Sequence, residues 1–213
     1  MPGPRIVLLH GVATTSTMWR GVLAFLDGLD VVAPDRPCLG DLDAELGALE
    51  PIVDGALLVG VSGGATLGLA FAASETRLAG AILHEPAVGS LVPGLLGPVA
   101  AAYSENGVPG FGATLYGSLW DPGMASADPG AVERELPMFR AFEPAAAAPG
   151  QGPVLVTVGG DSPPPRHAAA TALRERLGYR VRVIPGTSHF VPAEQPEALA
   201  RLIRETHTAL VAD

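Results

Sequence analysis

The stretch Ala56-Leu57-Leu58-Val59-Gly60-Val61-Ser62-Gly63-Gly64-Ala65-Thr66-Leu67-Gly68-Leu69-Ala70 decides the reading of the whole chain. Its opening apolar run predicts a strand buried on both faces, and the run from Ala65 predicts a helix. Between them Gly60-Val61-Ser62-Gly63-Gly64 has to turn the chain sharply. Such a turn holds Ser62 in strained backbone geometry with its hydroxyl exposed above the sheet. A side chain at position 60 or 64 would meet the crossing backbone, which explains the two outer glycines. The helix that starts here directs positive potential at an anion formed beside Ser62.

The same alternation extends outward in both directions. Apolar runs at Arg5 to Leu9, Val31 to Ala33, Leu78 to Leu83, Val154 to Val158 and Arg180 to Ile184 predict five further strands. Helical spacing is found over Thr17 to Leu26, Asp41 to Leu49 with Asp41 as N-cap, Pro165 to Leu177, and Glu194 to Val211. The fold class expected is therefore α/β: a doubly wound, mostly parallel sheet of about six strands with helices on both faces. The pattern lapses over residues 91–149, rich in Pro, Gly and Ala, where most of the aromatic residues collect. That segment is expected to be a lid inserted into a core made of residues 1–90 and 150–213.

Composition narrows the function classes. The 213 residues suit one substantial core. A net charge of −9, with 13 basic residues that are all Arg, argues against nucleic acid and anionic membranes as partners. No apolar run approaches the roughly 20 residues that span a bilayer, and the N-terminal sequence predicts no secretion signal, so a cytoplasmic location is expected. The single cysteine, Cys38, excludes an internal disulfide and a cysteine-based zinc cage.

In a sheet of this kind ligands bind beyond the carboxyl ends of the strands. Ser62, Asp161 and His189 all fall at such ends. A serine hydroxyl needs a base to act as a nucleophile, and the base needs an orienting carboxylate. Ser62, His189 and Asp161 supply the three groups that this chemistry needs. Glu85, at the end of the fourth strand, is the alternative acid. Asp161 is favoured over it because it follows an apolar run and lies four residues before Pro165.

Four separated motifs then resemble the α/β-hydrolase superfamily, of serine esterase and lipase type, over nearly the whole chain. His10-Gly11-Val12 resembles the family's oxyanion loop and Gly60 to Gly64 its nucleophile turn. Val158-Gly159-Gly160-Asp161 resembles its acid loop, and Pro185-Gly186-Thr187-Ser188-His189-Phe190 its histidine loop. The resemblance implies an oxyanion hole from the backbone N–H groups of Val12 and Gly63, and neither a metal nor an organic cofactor. Three features depart from the family: its first two strands are expected to be absent, Asp35-Arg36-Pro37-Cys38-Leu39-Gly40 replaces the usual Arg-Gly-His-Gly type of loop, and the lid segment is short with few polar residues.

The expected function is a serine hydrolase of a small to medium, largely uncharged ester, lactone or thioester, working through an acyl-enzyme. Two alternatives come from other classes: a cofactor-free lyase that uses the triad as a base, and a non-catalytic ligand-binding member of the fold. A peptidase reading would need acidic residues in the lid to hold an ammonium group, with Glu133, Glu135 and Glu143 available. Tyr116, Trp120, Phe139 and Phe190 are the expected pocket aromatics. His10 is expected to brace the oxyanion loop, and His84 to be structural.

Overall fold

A computed structural model describes residues 3–212. In chain order the elements are β1 (Ile6–Leu9), α1 (Arg20–Leu23), β2 (Val31–Val32), α2 (Leu42–Val53), β3 (Leu57–Val61), α3 (Gly63–Ala72) and β4 (Gly80–His84). After β4 come α4 (Gly97–Tyr116) and α5 (Ala131–Ala141), then β5 (Val154–Gly159), α6 (Pro164–Leu177), β6 (Arg180–Ile184), α7 (Val191–Glu194) and α8 (Pro196–Ala212).

The six strands form one parallel sheet in the order β2-β1-β3-β4-β5-β6. Every residue of β1, β3 and β4 is buried, as continuous apolar runs require when helices cover both faces. From β1 the chain steps out to β2 and then returns past β1 to β3, so the strand order reverses between β1 and β3. Crossovers of a single hand then place helices on opposite faces of the sheet. The loops leaving the carboxyl ends of β1 and β3 part at that reversal, which opens a crevice beside Ser62.

Local chemistry sets the element ends. The Asp41 carboxylate accepts from the Ala44 N–H and caps α2. The expected helix over Thr17 to Leu26 is shorter: a 3₁₀ turn, Ser16–Trp19, leads into the single turn of α1. The expected last helix is divided, because Pro196 lacks an N–H and opens α8 while α7 ends before Gln195. α4 is broken at Gly107, whose φ of 60° and ψ of −149° no helix permits.

Candidate active site

Ser62 follows β3 with φ 55° and ψ −115°, a backbone conformation that side chains rarely adopt. Its N–H donates to the His84 carbonyl at 2.9 Å, which fastens the turn to the end of β4. A Cβ at position 60 would lie 2.4 Å from the Gly64 carbonyl oxygen, and one at position 64 would lie 2.2 Å from the Leu9 carbonyl oxygen. Both outer glycines are therefore steric requirements of the turn.

Gly63 is the first residue of α3, so its N–H has no acceptor within the helix. Among the described residues no backbone carbonyl takes the Val12 N–H. Val12, Ser62 and Gly63 line the same chamber of about 20 Å³, with Phe139, Phe111, Leu115 and Arg166 on its other walls. That space holds about one water molecule. His10 braces the Val12 loop: its ring contacts the Gly11 carbonyl through Nδ1 at 2.8 Å and accepts the Arg36 N–H at Nε2. Nδ1 is thus the protonated nitrogen. Burial, followed by the Arg36 charge, lowers the His10 pKa to about 3.

His189 is buried, and its Nδ1 lies 2.7 Å from Glu85 Oε2. A carboxylate only accepts, so Nδ1 carries the proton and Nε2 keeps its lone pair. Nε2 is fully buried and has no partner among the described residues. Ser62 and His189 share no hydrogen bond among the described residues, and the Tyr116 hydroxyl beside them donates to the Val12 carbonyl. Desolvation and then the Arg166 charge depress His189, against the opposing pull of Glu85, to about 4.

The acid on His189 is Glu85, not the favoured Asp161. Glu85 has φ 49° and is 4% exposed. Its Oε1 accepts from the Gly159 N–H at 2.9 Å and from the Ser162 hydroxyl, and Arg166 Nε lies 3.5 Å from Oε2. Burial would raise its pKa; the His189 hydrogen bond and the His189, His84 and Arg166 charges overcome this and hold it well below the usual carboxylate range. Asp161 is exposed, and its backbone N–H donates to the Thr187 carbonyl at 2.9 Å. The turn closed by the Ser162 N–H on the Gly159 carbonyl carries its side chain outward. His84 is taken up by the Thr157 hydroxyl and the Ser188 carbonyl, each at 3.0 Å.

The segment between β4 and β5 packs on the loop that follows β1. The Tyr116 hydroxyl donates to the Val12 carbonyl at 2.7 Å, and the Trp120 indole N–H to the Ala13 carbonyl at 2.8 Å. Glu135 on α5 pairs with buried Arg36 at 2.6 Å, and Glu45 stands 3.8 Å from the same guanidinium. Of the four expected pocket aromatics, Tyr116 and Phe139 line cavities. Trp120 and Phe190 do not line those two cavities: the Trp120 indole is spent on the Ala13 loop, and Phe190 is fully buried against Tyr116 with ring centres 4.8 Å apart. No acidic ammonium site assembles from Glu133, Glu135 and Glu143. Glu133 is exposed, Glu135 is paired with Arg36, and Glu143 accepts from Ser90. The Cys38 thiol is buried, and burial first of all pushes its pKa up to about 12, so it is no thiolate.

Sequence reasoning missed Arg166 and Ser162. Arg166 lies one residue beyond Pro165 and Ser162 one beyond Asp161, so both were next to singled-out positions. Among the described residues no cluster of His, Cys, Asp or Glu could hold a metal, and no helix is long and apolar enough to cross a membrane.

Comparison with solved structures finds the same fold across nearly the entire chain. An esterase from Thermogutta terrifontis is 25% identical, with 98% of this chain and 91% of that one covered and a TM-score of 0.69. MenH from S. aureus is 15% identical at 99% and 96% coverage, TM-score 0.74. The enol-lactonase from Burkholderia xenovorans LB400 is 19% identical at 98% and 92% coverage, TM-score 0.69. A search of curated protein sequences finds no match. The model of the alpha/beta hydrolase family matches residues 6–202, so the strained serine, the histidine and the parallel sheet sit in a chain that belongs to that family.

Proposed function

We propose that the protein is a serine hydrolase that cleaves a carboxylic ester, lactone or thioester through an acyl-enzyme, with residues 91–149 as a lid. Ser62 attacks the carbonyl carbon and loses its proton to Nε2 of His189. The imidazolium then protonates the leaving group as the carbon–oxygen or carbon–sulfur bond breaks. Water enters, gives a proton to the same Nε2, and releases the acid and free Ser62. Glu85 holds the Nδ1–H tautomer and stabilises the imidazolium. The N–H groups of Val12 and Gly63 receive the oxyanion, at about 3 kcal/mol for each donor.

One observation carries this reading: the only lone pair that His189 leaves free is on Nε2, with Nδ1 committed to Glu85. The missing Ser62–His189 bond does not oppose it, because such bonds tighten when substrate binds. Labelling by a fluorophosphonate probe, mapped to Ser62, tests the reading, together with a burst on p-nitrophenyl esters. An unlabelled, folded protein sinks it; labelling without a burst or ester turnover favours the lyase. The neutral form of His189 is the active one, so kcat/KM should rise with pH through about 4 and then level.

A further inference from the structure

Beyond the small chamber at Ser62 lies a cavity of about 520 Å³ that reaches His189 and Tyr116. Its walls are mostly apolar, with Leu95, Val99, Leu115 and Leu119 among them. The two spaces share Leu115 and Arg166 as walls. A substrate lying in the large cavity with its carbonyl at Ser62 therefore passes the Arg166 side chain.

Arg166 is 7% exposed, yet the protein uses little of its donor capacity. Nη1 reaches the Glu85 carbonyl at 3.3 Å and Nε lies 3.5 Å from Glu85 Oε2. No other hydrogen bond from its five N–H donors to the protein is found among the described residues. Its Nη2 has no protein partner among the described residues and stays accessible, on a side chain that lines the cavity wall. The guanidinium also works against the reaction as the site stands, since it lowers the basicity of His189. We propose that Arg166 is a specificity-determining residue that binds a carboxylate on the acyl part of the substrate.

A substrate carboxylate would fill donors of Arg166 that its contacts with Glu85 leave open, through charge-assisted hydrogen bonds. The acyl side is favoured because the acyl group stays bonded to Ser62 through both half-reactions, and Arg166 stands where the Ser62 chamber meets the large cavity that would receive its chain. The leaving group departs past His189, toward the wall that carries the Glu194 carboxylate. The expectation of a largely uncharged substrate took no account of Arg166, which comes from α6.

The inference rests on the acyl-enzyme reading above, and its test separates the two. Wild-type protein is assayed on p-nitrophenyl pentanoate and on the p-nitrophenyl monoester of glutaric acid, equal in chain length and different in the carboxylate. The expected kcat/KM favours the glutarate ester by about tenfold or more. Arg166→Met should bring that ratio below one, and Arg166→Lys should recover part of it. In parallel, monomethyl glutarate is titrated calorimetrically into Ser62→Ala protein, where binding should be at least about tenfold tighter than in Ser62→Ala/Arg166→Met. Retained binding with neither ester turned over overturns the acyl-enzyme reading and leaves the carboxylate site standing. Equal or reversed preference in the wild type overturns the carboxylate site, and remains decisive if Arg166→Met does not fold.

Discussion

Strands β4 and β5 are neighbours, and each is followed at its carboxyl end by an acid: Glu85 directly after His84, and Asp161 two residues after Gly159. The end of β4 turns inward. Glu85 is held at positive φ with its carboxylate against His189 Nδ1. The end of β5 supplies that carboxylate with donors, the Gly159 N–H and the Ser162 hydroxyl, while its own acid faces solvent. Strain and burial are accepted at one strand end and avoided at the other. The comparison teaches that a carboxylate acts on a buried base through the donors that hold it, and those donors can come from the neighbouring strand.

The largest expected effect sets the scale for both acids. Ser62→Ala should lower kcat by about 10⁶ in a folded protein, since it removes only the nucleophilic oxygen. Steady-state assay of purified protein checks it, and activity within tenfold of wild type would remove the serine from the reaction.

Acid stability sharpens the comparison next. Burial lowers His189 to about 4 and His10 to about 3, against about 6.5 in the unfolded chain. As pH falls below 6.5 the unfolded chain binds protons that the folded protein refuses, so stability is full above about 6.5 and declines toward pH 4. Each histidine contributes on the order of 3 kcal/mol of that loss. Glu85, charged in the folded state, adds to it only once its unfolded counterpart begins to protonate, below about 4.5. Urea unfolding at pH 7, 5.5 and 4 measures the slope.

A smaller effect separates holding the acid from being the acid. Ser162→Ala removes one donor from Glu85 Oε1 while the Gly159 N–H remains. A loss of about tenfold in kcat is expected, at the low end of the about 1.5 to 3 kcal/mol of a hydrogen bond to a charged group, because the Gly159 N–H still holds the carboxylate. No loss would mean that the β5 donors do not position Glu85.

Most of the fold was legible in the sequence because buried parallel strands are continuous apolar runs and their helices keep a 3.6-residue period. The strained turn at Ser62 was legible for a related reason, since Gly-x-Ser-x-Gly between a strand and a helix fixes its own geometry. The choice of acid was not. Both Glu85 and Asp161 follow apolar strands and both precede a proline within four residues. What separates them is backbone sign: positive φ turns Glu85 inward, and no residue type announces that in a glutamate preceding Pro86. The ends of α4 and α5 were unreadable because Gly107, Pro109 and Pro137 interrupt them, and packing on the site overrides local propensity.

Side-by-side kinetics of Glu85→Gln and Asp161→Asn, on one p-nitrophenyl ester and in proteins verified as folded, tests the assignment of the acid most directly. Glu85→Gln should lower kcat by about 10⁴, because an amide beside Nδ1 favours the wrong imidazole tautomer. Asp161→Asn should stay within about twofold of wild type, as expected of an exposed surface substitution. A greater loss in Asp161→Asn than in Glu85→Gln would contradict the account and return the orienting role to the end of β5.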